Sequence, residues 1–181
     1  MQEVKNRNIS GRAEAACLRD QPNSPKARGQ KRQAKHEKNP NMKRILIAED
    51  NAVNRELLRE LLEARGYAVE EACNGLEALQ MIAQSKPDAL LLDLNMPVLD
   101  GFATVRKIRE NPSMASLPVL AVTAYAMRGD REKTLSAGFD EYLSKPISSS
   151  ALDAELERIW NKQQVESANP KQLAQAAGNE T

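Results

Sequence analysis

Short, continuous apolar runs recur through residues 43–143, and most are closed by a polar residue. Ile45-Leu46-Ile47-Ala48 ends in Glu49-Asp50-Asn51, Ala89-Leu90-Leu91-Leu92 ends in Asp93, and the run from Leu117 to Val122 ends in Thr123. Tyr67 to Ala72 and Phe139 to Leu143 read as two further strands, the second leading to Lys145-Pro146. Runs that are apolar at every position, rather than at alternate ones, belong to strands buried on both faces. The segments between them carry helical periodicity. A helix to about Arg65 is expected to turn Val53, Leu57, Leu58, Leu61 and Leu62 to one face, with Gly66 as its stop. Asn74-Gly75 opens a second helix carrying Leu76, Leu79, Met81 and Ile82. Further helices are expected over Phe102–Arg109, from about Met127 to Ala137, and from before Leu152 to beyond Ile159. Trp160, near the end of the last, reads as a packing residue. Five strands alternating with five helices imply an α/β fold with a parallel sheet covered on both faces.

The length of 181 residues suits one such domain with extensions. Net charge is +1, but residues 1–41 hold ten Lys/Arg against four Asp/Glu, and the rest of the chain is acidic. With almost no apolar periodicity, residues 1–41 are expected to form a disordered basic arm. Its functional reading is an arm for nucleic acid or an acidic partner; the plainer one is an inert leader, or a start placed too early ahead of Met42. Nucleic-acid binding is not expected of the chain as a whole. Residues 42–162 form the expected domain, and the polar residues 163–181 a disordered tail. No run approaches the roughly 18 apolar residues of a bilayer span, no secretory signal is evident, and the cytoplasm is the expected location. The single histidine, His36, lies in the arm, which excludes a histidine-based catalytic dyad or a histidine-rich metal site in the domain. Cys17 and Cys73 show no metal-ligand spacing.

In an open parallel sheet, ligands bind at the carboxyl edge of the strands. Glu49 and Asp50 follow the first strand, Asp93 the third, Thr123 the fourth and Lys145 the fifth, so all five are expected at that edge. Mutually repelling carboxylates suit a hard divalent cation, and Mg²⁺ fits a few oxygen ligands completed by water. A cation there also admits a dianionic phosphoryl donor, toward which the Asp93 carboxylate can act as a nucleophile to form an acyl phosphate. Such a transfer asks for positioning and charge neutralisation. Lys145 would take part of the phosphoryl charge, and the Thr123 hydroxyl would donate a hydrogen bond.

The stretches RILIAEDNAVNRELL, ACNGLEAL, ALLLDLNMPVLDG, VLAVTAYA and GFDEYLSKPI, spread over about residues 43–162, resemble the receiver domain of two-component response regulators. The resemblance implies a flavodoxin-like, doubly wound five-stranded parallel sheet of order 2-1-3-4-5. It implies that Asp93 accepts a phosphoryl group from a phosphohistidine on a sensor histidine kinase or a histidine phosphotransfer protein. Asp50, Asp93 and the backbone carbonyl of Asn95 would hold Mg²⁺, with Glu49 acting mainly through metal-bound water. Thr123 and Lys145 would read the phosphoryl group, Tyr142 would be the aromatic switch residue, and Lys145-Pro146 would be a cis peptide.

EDNAVNRELL and TAYAMRGD are similar to receivers of hybrid histidine kinases and to stand-alone receivers. The expected role is a single-domain regulator that signals by phosphorylation-dependent binding of a downstream protein target, or passes phosphate along a relay. It would not be an enzyme in the sense of turning over an external substrate. A receiver fragment of a hybrid kinase is the alternative. An aspartyl-phosphate phosphatase of the haloacid dehalogenase type would want a second Asp where Asn95 stands. Val53, Asn54, Pro146 and Ile147 are the candidates for kinase docking, and the face of Tyr125, Met127 and Tyr142 is the candidate for phosphorylation-dependent partners.

Overall fold

A computed structural model describes residues 42–124 and 130–168. Among these, strands β1 (Arg44–Ala48), β2 (Ala68–Ala72), β3 (Ala89–Asp93), β4 (Val119–Thr123) and β5 (Glu141–Ser144) alternate with five helices. The helices are α1 (Ala52–Glu63), α2 (Gly75–Gln84), α3 (Gly101–Glu110), α4 (Asp130–Ser136) and α5 (Ser149–Ala168). The strands form one parallel sheet in the order β2-β1-β3-β4-β5, the flavodoxin-like arrangement expected above. The order reverses between β1 and β3, and there the carboxyl edge opens into a crevice.

The uninterrupted apolar runs are explained by two cores, one on each side of the sheet. Leu46, Leu90, Leu92, Val119 and Ala121 pack on one side with Ala78, Ile82, Val105 and Ile108 from α2 and α3. Ile45, Ile47, Leu91, Leu120 and Val122 pack on the other with Leu58, Leu62, Leu152, Leu156 and Ile159 from α1 and α5. Successive residues of one strand thus serve opposite cores, as the pleat requires.

The starts of the first three helices are fixed by side-chain caps. Asn51 accepts from the amides of Val53 and Asn54, Asn74 from that of Glu77, and Asp100 from that of Ala103. Each such cap contributes about 1 kcal/mol, and each sits on a loop at the carboxyl edge. Gly66, at φ 80°, ends the turn after α1 in the left-handed region that glycine occupies without strain. At Gly101 the requirement is space: a Cβ there would lie 2.5 Å from the Asp93 carbonyl oxygen and 2.8 Å from Leu94 Cα. Only glycine lets the start of α3 press against the end of β3.

Several expectations need correction. Val53 and Leu57, assigned to one apolar face of the first helix, are exposed by 73% and 45%, and Leu76, placed among the apolar residues of the second, by 47%. Val53 and Leu76 stand on the first turns of α1 and α2, ahead of the residues that reach the core, whereas Leu57 lies about 100° round the helix from buried Leu58. Strand β5 begins at Glu141 rather than Phe139, because Asp140 is diverted to the start of β4, its carboxylate accepting from the Val119 amide at 2.7 Å. Phe139 stays buried, edge-on to Phe102 with ring centroids 5.8 Å apart. Helix α5 runs on through Ala168, past the boundary expected at Lys162, since no glycine or proline interrupts the chain until Pro170. Trp160 packs as expected, its Nε1 donating to the Tyr67 hydroxyl at 3.0 Å and Lys43 lying over its ring. The arm 1–41, the segment with Tyr125 and Met127, and residues 169–181 lie outside the described residues.

Candidate functional site

Strands β1, β3, β4 and β5 deliver their terminal residues to one edge. Asp93 ends β3 and is 5% exposed; Glu49, just past β1, is 1% exposed; Asp50 beside it is open to solvent. One oxygen from each of these three carboxylates lies within 4.8 Å of the others. Lys145 reaches in from beyond β5, and its Nζ donates to Glu49 Oε2 at 2.7 Å and to Asp93 Oδ2 at 2.9 Å. Its backbone is tied to β4 by a 2.7 Å hydrogen bond from Lys145 N to the Thr123 carbonyl. The Lys145-Pro146 peptide is cis, as expected.

Three carboxylates against one ammonium leave a surplus of negative charge. Burial alone would push the Lys145 pKa down, but hydrogen bonds to Glu49 and Asp93, aided by their charges, outweigh it and carry the value up. Lys145 therefore stays protonated through the neutral range. Three close oxygens, one of them on a solvent-open carboxylate, fit a hard divalent cation with room for water.

The loop after β3 is anchored by Leu94 and Met96, 7% and 8% exposed, with exposed Asn95 between them. The Asn95 amide lies 3.3 Å from Asp93 Oδ1, so Asp93 is contacted on both oxygens. Val98 has φ 70°, and the Leu99 amide donates to the Pro97 carbonyl at 2.8 Å, closing a three-residue turn. Positive φ at a β-branched residue is strained, and such strain gathers at functional loops.

Thr123 is fully buried at the end of β4. It lines a recess of about 210 Å³ with Leu94, Phe102, Asp130, Lys133, Thr134 and Tyr142. Tyr142 is half-buried; burial, then the charge of Asp130, raises its hydroxyl pKa. The structure thus brings Thr123 and Tyr142 to one recess, beside the carboxylate cluster.

On the other flank, Asn54, Leu57, Lys145, Pro146 and Ile147 line a second recess of about 150 Å³. Three of the four docking candidates meet there. Val53 is not among the lining residues and stands exposed on the first turn of α1. Sequence reasoning missed Leu57, which it had turned inward. It also missed a second role of Asn54, whose Nδ2 donates to Glu49 Oε1 at 3.1 Å. Arg55 was missed too; its Nη1 donates to the Glu49 carbonyl at 2.8 Å. The available signal was position: a residue on the first turn of a helix that begins at Ala52 can reach back to the loop before it.

The site and fold define a class that comparison with known proteins bears out. Residues 45–157 match the family model of the response regulator receiver domain, and the chain belongs to that family, a signalling domain of two-component systems. Among relatives, the polar-differentiation response regulator DivK of Brucella anthropi is 41% identical over 106 residues, covering 59% of this chain and 86% of that protein. A solved receiver domain of the sensor histidine kinase PA1611 from Pseudomonas aeruginosa PAO1, with a magnesium ion coordinated in its active-site cleft, is 38% identical. It superposes with a TM-score of 0.60 over 65% of this chain and 96% of that one. A putative response regulator from Chloroflexus aurantiacus J-10-fl is 33% identical with a TM-score of 0.63, covering 65% of this chain and 97% of that one. Among the described residues no helix is long and apolar enough to cross a membrane.

Proposed function

We propose that the chain works as a single-domain response regulator in which Asp93 accepts a phosphoryl group from a phosphohistidine. The observation that carries this reading is the setting of Asp93. It is held at the end of a fully buried strand, bound by the Lys145 ammonium, and within reach of two further carboxylates. An Asp93 oxygen attacks phosphorus, the phosphorus–nitrogen bond of the donor breaks, and the imidazole leaves with the bond pair and takes up a proton. Glu49, Asp50, Asp93 and the Asn95 carbonyl would hold Mg²⁺, which when bound offsets charge on the phosphoryl oxygens. Lys145 neutralises a further share of that charge, and the Thr123 hydroxyl donates to a phosphoryl oxygen. Movement of Thr123 toward the phosphoryl group would vacate space in the recess it shares with Tyr142, biasing Tyr142 between outward and inward positions.

The recess of Asn54, Leu57, Pro146 and Ile147, with Val53 at its margin, is the proposed docking place for the histidine-bearing partner. The surface around Tyr142 is proposed for a downstream protein target; Tyr125, also a candidate from the sequence, lies outside the described residues. The single-domain reading is supported by the DivK relative, in which the matched region makes up 86% of the protein. The likeness to the PA1611 receiver favours a second reading, a receiver that serves a hybrid kinase. In either setting the domain turns over no external substrate, and the exchange is placed in the cytoplasm.

The test is intact mass after incubation with phosphoramidate, with and without Mg²⁺. One added phosphoryl group that requires Mg²⁺ and is absent from Asp93→Asn is the expected result. No adduct together with no phosphate release would overturn the reading, whereas release without an adduct would mean rapid self-hydrolysis.

A further inference from the structure

Arg55 touches no carboxylate of the cluster, yet it is bonded to the backbone that carries two of them. Its Nη1 donates to the Glu49 carbonyl at 2.8 Å and lies 3.4 Å from that of Asp50. On its other side, Nε lies 3.6 Å from Glu71 Oε2 on β2, and Arg59 holds the second Glu71 oxygen at 3.3 Å. The Arg55 side chain is only 20% exposed. A planar guanidinium with fixed donors can hold a carboxylate and a carbonyl at once, which an ammonium on a flexible stem does poorly. The loop from β1 to α1 is thereby strapped to β2, the edge strand beside it.

A fixed positive charge near an acidic cluster weakens cation binding through space. The same group strengthens binding if it holds the ligands where the cation needs them. The two effects have opposite signs, so they can be told apart. We propose that Arg55, steadied by Glu71, is a positioning residue for a divalent cation, setting the Glu49–Asp50 backbone so that both carboxylates face Asp93. This rests on the reading of Glu49, Asp50 and Asp93 as the cation site. The hydrogen bonds point to it: the guanidinium makes its shortest contact with the carbonyl of a cluster residue rather than with Glu71. The loop is braced a second time by Asn54, which holds the Glu49 carboxylate itself.

The experiment is calorimetric titration of the unphosphorylated full-length chain with MgCl₂, for wild type, Asp93→Asn, Arg55→Gln, Arg55→Lys, Glu71→Gln and the Arg55→Gln/Glu71→Gln double variant. Amide hydrogen exchange of Asp50 and Asn51 is followed in cation-free buffer. Loss of an outer-shell partner typically weakens a metal site by about 10- to 100-fold, and about tenfold weaker binding is expected for Arg55→Gln. Arg55→Lys, which keeps the charge and loses the fork, is expected to fall between it and wild type. Glu71→Gln weakens binding in the wild-type background but adds little to Arg55→Gln, because both act through one contact. Exchange at Asp50 and Asn51 speeds up in both Arg55 variants. Binding by Arg55→Gln as tight as wild type or tighter, with Asp93→Asn weakened, would overturn the positioning role and leave the cation site standing. No saturable binding by wild type, or none sensitive to Asp93→Asn, would overturn the cation site and the positioning role with it.

Discussion

At the amino-terminal edge of the sheet, the Arg109 guanidinium donates to the carbonyls of Gly138, Ala115 and Leu117 and to the Asp140 carboxylate, each at 2.7 Å. Asp140 in turn accepts from the Val119 amide, and nearby Glu141 is met by Arg131 and Lys162. At the carboxyl edge of the same strands, the Lys145 ammonium bridges two carboxylates, a third from Asp50 lies close by, and the adjoining loop holds a valine at positive φ. Charges at the first edge are matched to partners that close the chain around β4 and β5. Charges at the second are left in excess. Leaving the partners of a half-buried ion pair unmatched is costly, while surplus charge and backbone strain persist only where the surrounding fold overrides them. One edge uses its charges to close the sheet; the other keeps a surplus, as the proposed cation and phosphoryl sites would need.

The largest expected effect comes from breaking the first edge. Arg109→Met keeps the aliphatic stem but strands three carbonyls and Asp140, and is expected to lower unfolding free energy by about 2–3 kcal/mol. Urea denaturation measures the loss, and Mg²⁺ affinity of the folded protein should stay at the wild-type value. A smaller effect of opposite sign is expected at the second edge. Val98→Gly relieves positive φ, offset in part by the greater freedom of glycine in the unfolded chain, for a net gain of about 0.5–1 kcal/mol. Val98 is 59% exposed, so little packing is lost. A drop in the urea midpoint instead would mean that the valine side chain supports the loop.

The smallest effect is one of pH. The Lys145 pKa is raised in the folded protein, so its pairing with Glu49 and Asp93 contributes fully below the unfolded value. That contribution is lost as pH rises through the folded value, in a window that begins above about 10.4. The stability difference between wild type and Lys145→Gln in cation-free buffer should be flat from pH 7 to about 10 and shrink beyond. Arg109→Met, which leaves the Lys145 pairing intact, is expected to show no such alkaline step against wild type. A step of equal size in Arg109→Met against wild type would remove the distinction between the two edges.

Much of this was legible in the chain alone. Continuous apolar runs such as Leu90-Leu91-Leu92, short and alternating with helical segments, read as strands with a core on each side, because successive side chains point oppositely. Polar residues closing those runs must then gather at one edge, which places Glu49, Asp50, Asp93, Thr123 and Lys145 together from the chain alone. Periodicity was a poorer guide where an element outran the sheet. Val53 fits an inward helical face but sits on the first turn of α1, Leu57 lies round the helix from buried Leu58, and the Lys162 boundary fell inside a helix with nothing to end it.

What the sequence by itself determined is the alternation of elements and the set of residues at the carboxyl edge, because side-chain direction in a strand follows from local geometry. Only the tertiary structure decided how those residues are held. Lys145 forks between Glu49 and Asp93, Asn54 turns to Glu49, Arg55 straps the loop to Glu71, and Arg109 closes the far edge. Each of these contacts joins positions that come together only when strands and helices pack, and hydrogen bonds act over about 3 Å. Spacing along the chain carries no record of distances that short.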